Sequence, residues 1–239
     1  EKYLPQVLAP LFRFNEVIVY DNGSTDRSKE IAVYHPFVRL IEGPFLGFGP
    51  THNFVSSQTK NSWVLSLDSD EIITEELIRE IDDLDLDLNT IYALSRKNFF
   101  KGKWIRGSGW NPDIQYRLYN RTKTSFTEAS VHESIITNGF RIKNLKNQLL
   151  HYPYDSYAEF LKKMQHYATL FANERQGKVK SSPLKAFNHA LFSFFKSYFL
   201  KRGLLDGFNG FFISAYNAQT AFYKYLLLYE KNQEQSNLD

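Results

Sequence analysis

Residues 63–71 read Trp-Val-Leu-Ser-Leu-Asp-Ser-Asp-Glu, and this stretch decides the fold class that we expect. Its first five residues are mostly apolar and predict a short buried strand. Its last four bring three carboxylates to the end of that strand, where charge is costly to bury without a counter-charge. We therefore expect a cationic group to sit at this position.

The two aspartates of this stretch are candidate metal ligands. Asp68 and Asp70 are separated by one residue, so both can approach one divalent cation where the strand becomes a loop. Oxygen ligands on an open loop suit Mg²⁺ or Mn²⁺ and leave room for water and substrate phosphates. The alternative is a solvated turn before a helix, because Glu71, Glu75 and Glu76 would also favour a helix N-terminus.

A second β-rich run ends in the same way. Residues 16–20 precede the polar sequence Asp-Asn-Gly-Ser-Thr-Asp at 21–26, and helical spacing then continues to Tyr34. Further along we expect a strand at 37–41, a helix at 51–59 and the strand at 63–67. Alternating short strands and helices predict an open α/β sheet whose ligands lie at the carboxyl ends of the strands. Both acid-rich loops follow such ends.

The rest of the chain changes character. Strands are expected at 91–95 and 114–119, and the basic, aromatic and glycine-rich segment 101–110 has the composition of a mobile binding loop. From residue 155 onward the spacing is helical, with helices predicted near 158–171, 184–200 and 208–229. Residues 1–90 carry a net charge of −9 and residues 91–239 a net charge of +12, which implies two functional halves.

Composition limits the function classes. The 239 residues are 43% hydrophobic and can bury a sizeable core. Cysteine is absent, which excludes disulfides and cysteine-based zinc or redox sites. No apolar run reaches the ~18 residues that a membrane span needs. The chain begins at Glu1 in what we expect to be the middle of an element, so a preceding segment is expected.

Six motifs in order resemble family 2 glycosyltransferases with the GT-A fold, and among them the group that adds glucose to the inner core of bacterial lipopolysaccharide. The motifs are Val-Ile-Val-Tyr-Asp-Asn-Gly-Ser-Thr-Asp at 17–26, Gly-Phe-Gly-Pro-Thr-His-Asn at 47–53, residues 63–71, Gly-Trp-Asn-Pro-Asp at 109–113 with Arg-Leu-Tyr at 117–119, Val-His-Glu at 131–133, and Leu-Asp-Gly at 205–207 with Gly-Phe at 210–211.

The resemblance implies a Rossmann-like, mostly parallel open sheet with a helical C-terminal extension. It places a nucleotide-sugar-binding catalytic domain at 1–153 and an acceptor-binding or membrane-binding region at 154–239. The family's first strand should then lie upstream of Glu1. His52 stands where the family often has Lys or Arg, which puts a phosphate contact there in doubt.

The resemblance also suggests roles for individual residues. Asp21 would accept a hydrogen bond from uracil, although it could instead cap a helix. Asp70 would hold the cation that bridges the two phosphates, and Asp68 would share its role between ribose and metal. The remaining candidates are Asn22, Asn53 and Arg117 for the donor and His132 as a further metal ligand. Arg117 could equally form a structural salt bridge, and His132 a structural hydrogen bond.

Glycosyl transfer also needs a base for the acceptor hydroxyl. We expect Glu133 in this role, with Asp113 as its rival, and the resemblance implies inversion by direct displacement. Glu133 could instead form a surface ion pair. Trp104 and Trp110 could stack on a sugar or anchor their loop.

The basic C-terminal half suggests how the acceptor is reached. The Phe- and Tyr-rich helix near 184–200, with Lys and Arg through residue 202, is typical of an interfacial helix on an anionic membrane. The alternative is an amphipathic helix packed on the catalytic domain. Nucleic acid is not expected, since the acidic half would repel phosphate without a metal.

Together these features predict a metal-dependent inverting enzyme that uses a UDP-sugar, with glucose expected, to extend a lipid-anchored saccharide such as the lipopolysaccharide core. We expect it in the bacterial cytoplasm, peripheral on the inner face of the inner membrane. The alternatives are the same fold acting on a polyprenyl-phosphate or another glycan, and a non-catalytic sugar-binding or membrane-binding adaptor.

Overall fold

A computed structural model describes residues 1–128 and 133–236 of the chain. The described chain divides into two compact units. The first comprises residues 1–97 and 113–151, and the second comprises residues 98–112 and the chain from Tyr152 onward. We had expected residues 98–112 in the catalytic domain. They group with the helical region because Phe100 and Ile105 are buried with Phe160 and Ile213.

The first unit carries most of the strands. It opens with helix α1 (Leu4–Leu8) and a 3-10 turn (Ala9–Arg13). The elements that follow along the chain are β1 (Val17–Asp21), α2 (Ser28–Tyr34), β2 (Val38–Glu42), α3 (Phe48–Ser57), β3 (Trp63–Leu65), β4 (Glu71–Ile72), α4 (Glu75–Asp82), β5 (Thr90–Phe100), β6 (Lys103–Trp104), β7 (Ile114–Asn120) and β8 (Arg141–Tyr154). Of these, β6 belongs to the second unit, and β5 and β8 have residues in both.

The strands form two sheets. β1 pairs with β2 in parallel, and the larger sheet has the order β3-β7-β5-β8-β4, with β6 paired to β5. The pairs β3–β7, β5–β7, β5–β6 and β4–β8 are antiparallel. The α/β class is confirmed, but the sheet contains more antiparallel pairing than the mostly parallel sheet that we expected. Whether two paired strands run parallel or antiparallel depends on how the elements connect in space. The spacing of apolar residues along the sequence does not reveal that connection.

The core of the first unit explains why its elements form. Val17 of β1, Leu94 of β5 and Leu118 of β7 are buried together with Leu77 and Ile78 of α4. Burial of apolar side chains stabilises a fold by roughly 25 cal/mol per Å² of surface removed from water. This packed core therefore fixes the positions of the strand ends, which carry the polar residues.

The second unit is helical, as predicted. It contains α5 (Tyr157–Arg175), α6 (Pro183–Phe195), a π-helical turn (Lys196–Leu200), a 3-10 turn (Gly203–Asp206) and α7 (Gly207–Ser236). Ser156 and Ser182 cap α5 and α6 by accepting hydrogen bonds from the backbone N–H groups of Glu159 and Lys185. Within the described residues, no helix is apolar over a stretch long enough to cross a bilayer.

The glycine-rich segment 101–110, which the composition predicts to be a mobile binding loop, makes several contacts within the second unit. The carboxylate of Asp206 accepts hydrogen bonds from the backbone N–H groups of Arg106 (3.0 Å) and Gly107 (2.6 Å). A side chain at residue 107 would lie 2.4 Å from the carbonyl oxygen of Arg202, so only glycine fits. Trp110 stacks on Tyr154, with ring centroids 5.8 Å apart. These contacts give the segment a structural role within the second unit.

Candidate functional site

A buried ion-pair network lies at the end of the predicted strand 63–67. Glu71 of β4 is fully buried, and one of its oxygens accepts hydrogen bonds from Arg96 of β5 (2.9 Å) and Arg117 of β7 (2.6 Å). Its other oxygen accepts the backbone N–H of Asp68 at 3.1 Å. We had considered Glu71 as a helix cap, but α4 is capped by Thr74. Glu71 instead joins the acidic turn to two strands of the sheet.

Arg117 lies inside this network. It is 4% exposed, and it donates to the carboxylates of Asp68 and Glu71. Burial would lower the pKa of Arg117, but the negative charges of Asp68 and Glu71 outweigh burial and raise it. Its Nε is buried, and no group within the described residues accepts a hydrogen bond from it. The salt-bridge alternative is thus observed, whereas the predicted contact of Arg117 with the donor stays a prediction.

Asp68 is the exposed end of the same network. Its side chain is 40% exposed. Burial of its carboxylate would raise the pKa of Asp68, but the charge of Arg117 outweighs this and lowers it. An ionised, partly exposed carboxylate remains available to a ribose hydroxyl or a cation, although Arg117 already neutralises much of its charge.

Asp113, the rival catalytic base, is engaged on both oxygens. Arg96 Nε donates to one oxygen over 2.8 Å, and Gln115 Nε2 donates to the other over 2.7 Å. A carboxylate held by an arginine is a weaker base than one without such a partner. The geometry therefore gives Asp113 a structural partner, and the choice between Asp113 and Glu133 as the base stays a prediction.

Asp70 differs from its neighbours, because within the described residues its carboxylate lies beside a histidine and pairs with no arginine. Its carboxylate oxygen Oδ1 lies 3.6 Å from Nε2 of His151, and its side chain is 35% exposed. The antiparallel register of β4 and β8 sets Glu71 opposite His151, which brings the histidine beside Asp70. The sequence analysis missed His151, because a single histidine in a strand has no local signal of a site.

A divalent cation is compatible with this pair of side chains. Among the residues that the structure describes, no group of three His, Asp or Glu side chains could hold a metal ion. Mg²⁺ commonly takes only one or two carboxylates and completes its shell with water and substrate phosphates, and imidazole suits several transition metals. The carboxylate of Asp70 and the imidazole of His151 therefore fit a divalent cation that completes its coordination with water and substrate phosphates. His132, the other predicted ligand, lies outside the described residues.

His52 of α3 contacts Ser66, which lies two residues before Asp68 in the chain. Its Nδ1 is 3.1 Å from Oγ of Ser66, and its ring stacks on Phe126 at 4.4 Å. Burial lowers the pKa of His52 and Arg117 adds to this effect, whereas the charges of Asp68 and Glu133 oppose it. His52 is therefore a neutral interior side chain, in keeping with the doubt about a phosphate contact at this position.

Asn53, a predicted donor contact, has protein partners on both ends of its amide. Its Oδ1 accepts the backbone N–H of Phe126 at 2.8 Å, and its Nδ2 donates to the carbonyl oxygen of Phe126 and to Glu128, each at 3.0 Å. These bonds fix the chain at 126–128, shortly before Glu133. Its predicted role in donor binding stays a prediction, and its observed role is to hold this segment.

Asp21 lies at the carboxyl end of β1 and is 8% exposed. Its carboxylate accepts the backbone N–H groups of Gly23 (3.2 Å) and Ser24 (3.1 Å). Burial would raise the pKa of Asp21, but these hydrogen bonds outweigh it and lower the pKa. The carboxylate closes the turn and does not cap α2, which begins at Ser28. Asn22 is exposed beside it. The nucleotide contacts that we expect of both residues stay predictions.

A model of glycosyl transferase family 2 matches residues 1–164, which cover more than half of the chain. The chain belongs to glycosyl transferase family 2. This family 2 chain is 28% identical over 238 residues to an uncharacterized glycosyltransferase of Rickettsia typhi, covering 94% of this chain and 81% of that protein. It is 24% identical over 251 residues to LpsC of Rhizobium meliloti, a lipopolysaccharide core biosynthesis glycosyltransferase, covering 97% and 89%.

The family 2 chain is also similar to a solved structure of S. aureus TarS 1–349 in complex with UDP-GlcNAc. The identity is 14% and the TM-score 0.44, over 100% of this chain and 89% of that chain. A likeness this low carries no argument about function. The family match confirms the predicted resemblance and the glycosyltransferase class, whereas the roles predicted for individual residues are not tested by it.

Proposed function

We propose that this chain transfers a sugar, with glucose as the first candidate, from a UDP-sugar to a lipid-anchored bacterial glycan such as the lipopolysaccharide core. Membership in glycosyl transferase family 2 supports the class of reaction. The similarity to LpsC supports the class of acceptor. The proposal includes inversion at the transferred carbon and dependence on a divalent cation.

One observation carries the proposal: the contrast between Asp70 and the three carboxylates around it. Asp68, Glu71 and Asp113 are each paired with Arg96 or Arg117. Asp70 is instead partly exposed and lies beside His151. Because arginine neutralises the others, Asp70 is the carboxylate with most charge left for a cation at this edge.

In this proposal Asp70 and His151 hold Mg²⁺ or Mn²⁺, and the cation supplies charge neutralisation for the leaving diphosphate. Asp21 binds the base of the nucleotide, and Asp68 binds its ribose or the cation. Arg117 keeps Asp68 in position and, against the effect of burial, holds the pKa of Asp68 below its ordinary value, so that this carboxylate stays ionised when the donor binds.

The proposed base is Glu133. It takes the proton of the acceptor hydroxyl while the acceptor oxygen bonds to the anomeric carbon and the bond to the diphosphate breaks, so that UDP leaves from the opposite face. General-base assistance of this kind contributes ~10²–10⁴-fold in rate. The negative charge of Glu133 opposes the lowering of the His52 pKa, and within the described residues no arginine forms an ion pair with Glu133.

We also propose that the enzyme works at the cytoplasmic surface of an anionic membrane. Helix α6 packs on α7 through Ala186 and His189, whose ring stacks on Tyr225. The opposite face of the helix and the following turn expose seven large apolar side chains, each at least half exposed: Leu184, Phe187, Leu191, Phe192, Phe195, Phe199 and Leu200. Such a face, with basic residues near it, favours the interfacial helix over the packed one.

The direct test is calorimetric titration with UDP in the presence and absence of Mn²⁺, followed by a turnover assay with UDP-glucose. We expect binding that requires the cation and that is lost in Asp70→Asn. Binding that is independent of Mn²⁺, or unchanged in the variant, would overturn metal dependence. Binding without turnover on any glycan or polyprenyl-phosphate acceptor would favour the non-catalytic adaptor.

A further inference from the structure

A basic cavity of about 480 Å³ lies within the second unit, between the end of α6, the π-helical turn and α7. Its lining contains three lysines, Lys196, Lys201 and Lys224, and none of its lining residues is an aspartate or glutamate. The other polar lining residues include Ser193, Asn217 and Thr220. A cavity of this size holds a small organic ligand, since such sites typically span ~300–1,000 Å³. It is therefore larger than a single inorganic ion requires.

The cationic charge of this cavity is not compensated. Within the described part of the chain, no carboxylate forms an ion pair with any of its three lysines. Lys224 is half-buried, and burial together with the charge of Arg175 lowers its pKa. The Nζ atom of Lys224 lies 5.4 Å from the ring centroid of Phe171, and a bound anion would relieve the cost that burial and the charge of Arg175 impose on this lysine.

The floor of the cavity is rigid and polar. Asn217 Nδ2 donates to Oγ of the buried Ser197 over 2.9 Å, and Ser214 Oγ donates to the same atom over 3.1 Å. Ser197 in turn donates to the carbonyl oxygen of Ser108 at 3.3 Å. This chain of hydrogen bonds ties the π-helical turn to α7 and to the segment 107–110, so that the wall which carries Lys196 is fixed.

Gly109 leaves the space beside the cavity that the side chain of Lys201 occupies. Gly109 has a φ of +87°, and a side chain there would lie 2.8 Å from the Nζ atom of Lys201. The absence of a side chain lets the lysine lie against the backbone of residue 109. Trp110 and Tyr216 also line the cavity and add aromatic surface beside the charges.

We infer that this cavity binds a phosphate group carried by a saccharide or by a lipid headgroup. Ammonium groups bind phosphate as point charges, and the hydroxyl and aromatic lining suits the sugar or glycerol to which the phosphate is attached. Phe195 and Phe199 of the exposed apolar face flank Lys196 along the chain, which is the arrangement expected of a headgroup site at a membrane surface. The inference does not depend on glycosyl transfer, and its test is independent of UDP.

The test uses the whole chain in EDTA, so that binding that depends on a cation at Asp70 does not contribute. Calorimetry with inorganic phosphate and with glucose 6-phosphate measures binding of the free anion. Co-sedimentation with phosphatidylcholine vesicles, with and without phosphatidylglycerol, measures binding of a lipid phosphate. The variants are Lys196→Gln, Lys201→Gln, Lys224→Gln and the triple variant, with Lys162→Gln on α5 as the control for loss of one exposed charge.

We expect each cavity variant to weaken binding of a phosphate-bearing probe at least about fivefold, and the triple variant to abolish it. Lys162→Gln should bind as the wild type does, and all variants should keep the far-UV circular dichroism spectrum of the wild type, which shows that they are folded. Loss in calorimetry identifies a free phosphosugar, and loss only with phosphatidylglycerol vesicles identifies a lipid headgroup. Equal binding by wild type and triple variant, or an equal loss in Lys162→Gln, overturns the inference.

Discussion

Arg117 donates a hydrogen bond from Nη2 to the fully buried carboxylate of Glu71 over 2.6 Å. The pair joins β7 to β4, and Arg96 of β5 binds the same carboxylate oxygen. The acidic turn 68–71 is thereby attached to three strands of one sheet. Because these arginines neutralise the carboxylates on either side, Asp70 keeps its charge at a partly exposed position.

The first prediction concerns this buried pair. Glu71→Gln should lower the free energy of unfolding by about 3–5 kcal/mol, because it removes the anion shared by the buried guanidinium group of Arg117 and the partly buried one of Arg96. Denaturant unfolding measures the change. Asp83→Asn, at an exposed carboxylate after α4, is the matched control and should change stability by less than ~0.5 kcal/mol. A Glu71→Gln protein as stable as this control would contradict the proposed role of the pair.

The second prediction separates cation binding from stability. Asp70→Asn should fold with nearly wild-type stability, since the side chain is partly exposed, but should lose the effect of Mn²⁺ on UDP affinity. Calorimetric titrations with and without Mn²⁺ give the comparison. His151→Gln should weaken the effect of Mn²⁺ in the same direction. Asp83→Asn again serves as the control for removal of one carboxylate, and a loss of Mn²⁺ dependence there would refute the assignment.

The third prediction distinguishes the two candidate bases. Glu133→Gln should retain UDP binding and lose ~10²–10⁴-fold in kcat. Asp113→Asn should instead reduce stability, because Arg96 and Gln115 hold both of its oxygens. Steady-state kinetics and thermal unfolding of both variants decide the matter. Full turnover in Glu133→Gln would move the base to another residue.

The fourth prediction is a pH effect on stability. The pKa of Asp68 in the folded chain lies below its ordinary value of 3.8, so its ion pair with Arg117 stabilises the fold fully above that value. This stabilisation should disappear as the pH falls from about 3.8 towards the lower folded pKa. Urea unfolding across this range should show a smaller acid loss for Asp68→Asn than for wild type. Parallel pH profiles would exclude a contribution from Asp68.

The fifth prediction tests the exposed face of α6. Leu191→Asp and Phe192→Asp should each weaken co-sedimentation with anionic vesicles about tenfold, since burial of such a side chain contributes ~1.5–3 kcal/mol. Both side chains are more than half exposed, so the fold should tolerate the changes. Leu161→Asp on α5 is a control with similar exposure, at 57%. An equal effect in this control would argue against a specific face.

Much of the site's chemistry could be predicted because it is local in sequence. Asp21 and the acidic turn each directly follow an apolar strand. The alternation of strands and helices therefore predicted that carboxylates would lie at the carboxyl ends of the strands. The helices of the second unit were expected for the same reason, since their apolar spacing repeats over many residues. The motifs in order also identified the family, which the family match confirms.

Other features could not be predicted because they depend on residues far apart in the chain. Arg96, His151 and the burial of Glu71 have no local signal, and they meet only when β5, β7, β8 and β4 pair. The segment 101–110 was expected to be mobile from its composition. Its contact with Asp206, about one hundred residues further on, which accepts two of its backbone N–H groups, had no signal in the sequence.

By itself, then, the sequence determined which residue types end each strand, which stretches are helical and which family the chain belongs to. Only the tertiary structure decided which carboxylates are neutralised and which is left beside His151. The reason is physical: a charge keeps or loses its free energy of hydration according to burial and partners, and both are set by contacts across the sheet and not by neighbours along the chain.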